Sequence, residues 1–94
     1  IGKFPLLERL HCSNNLINIF GDYPKLIELI CINNNINILG KFPLLEKLHC
    51  SNNHINKLVD YPKLIELICL NNNFNYAHKH IILIQTFFTM CVTL

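Results

Sequence analysis

A period of 19 residues governs this chain. Pro recurs at positions 5, 24, 43 and 62, and Cys at 12, 31, 50 and 69. In the same phase run Leu7, Leu26, Leu45 and Leu64, then Leu10, Leu29, Leu48 and Leu67. Asn15, Asn34, Asn53 and Asn72 follow, and after them Ile17, Ile36, Ile55 and Phe74. One unit reads L-x-x-L-x-C-x-x-N-x-I, with a short connector that ends in an aromatic residue and Pro. Repetition at such a step marks an array of supersecondary units, each too small to bury its own apolar side.

Within a unit, Leu10 and Cys12 alternate with Arg9, His11 and Ser13, the period of a half-buried strand. Stacked copies would form a parallel sheet over a continuous core, with about three units as the minimum for stability. Asn15, Asn34, Asn53 and Asn72 stand where the chain leaves the strand, so their amides can bond the backbone of neighbouring turns. The connector, such as residues 18–23, is too short for an ordinary helix. Extended or turn structure is expected there, with Pro24 fixing one corner.

The unit resembles the leucine-rich repeat family, with Cys in the third apolar slot, over roughly residues 2–77. At 19 residues it is slightly shorter than that family's usual length. Its Cys-bearing, Asn-rich character is similar to arrays of some bacteria and giant DNA viruses. The resemblance implies a repeat solenoid: a horseshoe or arc with a parallel concave β-sheet and an extended or turn-like convex side. Four units would occupy residues 1–77, with an asparagine ladder along the stack. Function would be protein–protein interaction through the concave sheet.

A longer period bears on chemistry. Residues 2–20 and 40–58 differ only at Arg9/Lys47, Leu16/His54, Ile19/Lys57 and Phe20/Leu58, and residues 21–39 and 59–77 are nearly as alike. The array reads as a copied two-unit block. Catalysis needs a one-off constellation of acid, base and orienting group. Here nearly every polar residue has a twin two strands away, about 9.6 Å at about 4.8 Å per strand. Repetition favours binding, and the chain is read as a non-enzyme.

The outward side chains form lanes across the sheet. Arg9, Glu28, Lys47 and Glu66 alternate in sign. Neighbours could register the sheet, each exposed pair being worth about 0.2–1 kcal/mol, or meet a partner directly. The next lanes are His11, Ile30, His49, Ile68 and Ser13, Ile32, Ser51, Leu70. Their apolar members are the strongest sign of a contact surface, set against plain strand propensity. Four short strands expose about 200–300 Å² of sheet face, whereas a stable interface takes about 800 Å² per partner. Binding is therefore expected to be weak or to involve a longer array. A second alternation, Lys3, Asp22, Lys41 and Asp60, is expected on solvated convex surface.

Cys12, Cys31, Cys50 and Cys69 would stack in one column. A column does not converge tetrahedrally, so zinc is not expected, and disulfides between adjacent in-register strands would be awkward. Buried free thiols acting as small apolar residues fit better. They imply a reducing, cytoplasmic setting, as does the absence of Asn-x-Ser/Thr in an Asn-rich chain. His78-Lys79-His80 has no ligand spacing. No metal or cofactor is expected.

Formal net charge is only +2, with signs interspersed, so neither nucleic acid nor an anionic membrane is an expected partner. The opening Ile1-Gly2-Lys3-Phe4-Pro5 lacks a signal-peptide pattern. Because Ile1 falls in phase with the repeat, the chain is expected to be part of a longer one. Residues 81–94, IILIQTFFTMCVTL, carry no charge. Leu83 keeps the phase, but Thr86, Phe88 and Cys91 fill the slots of Leu, Cys and Asn. Residues 78–94 read as a degenerate fifth unit or as an apolar, β-aggregating tail. A membrane anchor is disfavoured, since 14 residues fall short of the roughly 20 needed to span.

Three functions remain: a protein-binding scaffold, a structural array self-associating through open ends or the tail, and a targeting fragment of a larger protein.

Overall fold

The computed structural model describes residues 4–58, 61–74 and 91–93. Five strands of three residues each pair side by side in chain order: β1 (Arg9–His11), β2 (Glu28–Ile30), β3 (Lys47–His49), β4 (Glu66–Ile68) and β5 (Cys91–Thr93). Every pairing is parallel. No helix occurs among the described residues. The register follows the sequence period, Leu10 facing Leu29, Leu29 facing Leu48 and Leu48 facing Leu67. Backbone bonding continues past the strand ends, with Cys12, Cys31 and Cys50 N–H donating to the carbonyls of Ile30, His49 and Ile68.

The middle residues of β2, β3 and β4 point into the core, and Leu29, Leu48 and Leu67 are buried there with Cys31, Cys50 and Cys69. Leu26, Leu45, Ile36 and Ile55 close the core from the turns and connectors. Fully burying one such aliphatic side chain contributes about 1.5–3 kcal/mol. β1 lies at one edge, and its Leu10, Cys12 and Ile17 are only partly buried.

The strands β1 to β4 are each fed by the same turn. Leu7, Leu26, Leu45 and Leu64 N–H donate to the carbonyls of Phe4, Tyr23, Phe42 and Tyr61. Pro takes the second position of that four-residue turn, where its fixed φ is already suitable. The aromatic residue before each Pro joins a column: Tyr23, Phe42 and Tyr61 stack at 5.9 Å between centroids, and Phe4 meets Tyr23 at 6.5 Å. Tyr61 Oη donates to the Gly40 carbonyl, satisfying a hydroxyl on a buried ring. Gly40 must lack a side chain, because a Cβ there would stand 2.2 Å from the Gly21 carbonyl oxygen.

The strand exit uses two asparagines per unit. Asn14, Asn33, Asn52 and Asn71 adopt left-handed backbone, with φ of 61°, 58°, 58° and 53°, a conformation that Asn tolerates better than most residues. The next residue ties units together. Asn53 Nδ2 donates to the carbonyls of Cys31, Cys50 and Ser51 while its Oδ1 accepts Ile36 N–H. Asn34 and Asn72 bond their own and the preceding unit in the same manner. Asn15, in the first unit, donates only to Cys12 and Ser13 carbonyls of its own turn.

The last strand corrects the expected phase. Val92 stands opposite Leu67, a step of 25 residues, whereas a 19-residue step would have put Thr86 there. The uncharged segment therefore reaches the sheet at its far end, through Cys91–Thr93. The 78–94 boundary, the 78–80 cluster, Leu83, Thr86 and Phe88 lie outside the described residues.

Candidate binding surface

The sheet face opposite the core carries the lanes. Pairing brings Arg9, Glu28, Lys47 and Glu66 into one row, and His11, Ile30, His49 and Ile68 into the next. Lys47 Nζ sits 3.6 Å from both Glu28 Oε1 and Glu66 Oε2. The two rows are also joined diagonally: His11 Nε2 contacts Glu28 Oε2, and His49 Nε2 lies 2.6 Å from Glu66 Oε2. Hydrogen bonding from His11, helped by Lys47, holds the Glu28 carboxyl below its ordinary range, and His49 with Lys47 does the same for Glu66. Glu28 and Glu66 are thus anchored carboxylates, each held by a histidine and Lys47.

Several expected placements change. Arg9 faces Glu28 in register yet forms no ion pair among the described residues, because His11 and Lys47 occupy that carboxylate. Ser51 is buried rather than presented to a partner. The hydroxyls of Ser13 and Ser51 accept the N–H of Ile32 and Leu70 in the following unit. Asp22 and Lys41 are exposed, as expected, and Asp22 Oδ1 also accepts the backbone N–H of Lys41. Lys3 and Asp60 lie outside the described residues. Ile30, Ile32 and Ile68 are half-buried, and Leu70 is exposed.

One lane was missed. Ile27 N–H donates to Glu8 carbonyl, Glu46 N–H to Ile27 carbonyl, and Ile65 N–H to Glu46 carbonyl. Glu8, Ile27, Glu46 and Ile65 thus form a further row at the strand entry, alternating acid and aliphatic. Ile27, Glu46 and Ile65, with Arg9, Glu28, Lys47 and Glu66, line a hollow of about 230 Å³. The only sequence signal for this row is its 38-residue alternation, Glu8 with Glu46 and Ile27 with Ile65.

Behind the sheet, Cys12, Cys31, Cys50 and Cys69 are free thiols. Burial pushes Cys12, Cys31 and Cys50 above the ordinary thiol range, so they stay protonated and unreactive. No group of three His, Cys, Asp or Glu side chains is placed to hold a metal among the described residues. None of the described helices, there being none, is long and apolar enough to cross a membrane.

Compared with known proteins, the chain matches no family model, no curated protein and no solved structure.

Proposed function

We propose that this chain is a leucine-rich-repeat solenoid that binds a protein partner on a concave sheet face. One observation carries the reading. The outward face holds half-exposed Ile30 and Ile68 in fixed register beside an anchored charge network, a stiff surface needing little ordering on binding. Curvature is supported by the column of rings, where equivalent centroids step 5.9 Å against about 4.8 Å between strands. Unequal steps on opposite sides bend a stack. The repetition of polar residues argues against catalysis, and four free thiols fit a reducing, cytoplasmic setting. Partner identity is left open, and the module could serve a larger protein as its targeting part.

The test is capture of partners from a lysate of the source cell by the immobilised chain. The variant Ile30→Ser with Ile68→Ser is expected to lose the captured protein with its circular dichroism unchanged. Equal capture by a folded double variant would remove the sheet face from the reading.

A structural array is the second reading. Its support is exposed apolar surface away from the sheet face: Phe4 and Leu6 at the β1 end, and Leu16, Ile19 and Ile38 beyond the strands. Light scattering after size exclusion separates the two. Association of the full chain that a version ending at Ala77 lacks would favour the array.

A further inference from the structure

We infer that the hollow between Ile27 and Ile65 seats a lysine or arginine side chain of the partner, its charge on Glu46 and its aliphatic stem between the two isoleucines. The inference rests on the sheet-face reading above and gives it a chemistry.

Glu46 lies between Ile27 and Ile65 in the strand-entry row, bonded through its backbone to both. The two isoleucines flank Glu46, roughly 9.6 Å apart across two strand spacings, so an alkyl chain lying over Glu46 would meet both. Ile65 is half exposed despite its size, and the hollow measures about 230 Å³.

Charge decides the occupant. Three carboxylates line the hollow, and two are already engaged: Glu28 by His11 and Lys47, Glu66 by His49 and Lys47. Glu46 forms no ion pair among the described residues. An apolar side chain would strip water from that carboxylate without compensation. A phosphate group would find Arg9 and Lys47 but also three carboxylates, one of them outside any ion pair among the described residues. A basic side chain instead places its methylenes on isoleucine and its cation on the carboxylate, the arrangement amphipathic side chains favour. Arg9, at the other end of the hollow, biases the cation towards Glu46.

The probe is n-butylammonium, a lysine side chain without its backbone, with n-butanol as the uncharged control. Both are titrated into the full chain while backbone amide shifts are followed. Butylammonium is expected to move the Ile27, Glu46 and Ile65 amides saturably, and butanol to leave them nearly still. Glu46→Gln should weaken binding about threefold to fivefold, the size of a half-exposed ion pair. Glu8→Gln, in the same row but outside the hollow, should change nothing. The proposal is overturned if butanol acts equally, if Glu46→Gln binds as well, or if shifts spread evenly to Glu8 and Asp22. Capture that depends on Ile30 and Ile68, with no Glu46 effect here, sinks this site alone. A specific butylammonium site without such capture sinks only the wider reading.

Discussion

The first and third units are almost the same sequence in two different places. Residues 2–20 and 40–58 differ at four positions, yet Leu48, Cys50 and Asn53 are buried where Leu10 and Cys12 are partly open and Asn15 is exposed. Asn53 bonds two units and Asn15 only one. The His11 side chain is 59% exposed and that of His49 20%. A unit's own residues supply its shape, and its neighbours supply most of its burial. Stability should therefore be graded along the stack, as in arrays held by nearest-neighbour contacts.

The largest test deletes the same side chain in both places. Leu48→Ala is expected to cost about 2–5 kcal/mol, the usual loss for a buried leucine with residual cavity. Leu10→Ala should cost about half as much or less, since part of its surface never leaves water. Urea unfolding of the two variants reads the difference, and equal losses would mean the first unit is shielded as well as the third.

The next compares asparagines. Asn53→Ala leaves the Ile36 N–H without its acceptor and takes one donor each from the carbonyls of Cys31, Cys50 and Ser51, which keep Asn34, Asn72 and the Asn33 N–H. At about 1–3 kcal/mol for an unsatisfied buried group, a loss of roughly 2–3 kcal/mol is expected after relaxation. Asn15→Ala should cost about 0.5–1 kcal/mol, because water can replace its bonds. Thermal melts of both suffice; an Asn15 effect as large as that of Asn53 would break the comparison.

The smallest effect is electrostatic. Glu28 and Glu66 are held below the ordinary carboxyl value of 4.5. Their contribution is complete above that value and is lost as pH falls through the lower folded-state values. Melting temperature should drop more steeply in acid for the wild type than for Glu28→Gln or Glu66→Gln. Because His49 is the more shielded histidine, salt should weaken the Glu66 contribution less than that of Glu28. Parallel acid profiles for wild type and variants would remove both carboxylates from the account.

The parallel sheet was legible because Leu10, Cys12 and their repeats carry strand period and stacking period together. Pro5, Pro24, Pro43 and Pro62 marked the turns for the same reason. What the residues did not disclose were choices between equivalent partners. Glu28 could meet Arg9, Lys47 or His11, and only side-chain reach decides that it meets the last two. Ser51 alternates like an outward residue, yet past the end of the strand its hydroxyl turns to a backbone amide. The last strand escaped because nothing in a composition of Ile, Phe and Thr distinguishes position 86 from position 92.

Two sets of side-chain bonds between units each point one way. Asn33 Nδ2 donates to Asn14 Oδ1 and Asn71 Nδ2 to Asn52 Oδ1, always from the later unit to the earlier. Ser13 and Ser51 hydroxyls accept only from the unit that follows. The two ends of the stack are thus chemically unlike, one edge of a parallel sheet being no mirror of the other. Copies that continued the parallel sheet from one end to the other would join head to tail, a contact that closes into a ring or runs on as a filament according to its rotation.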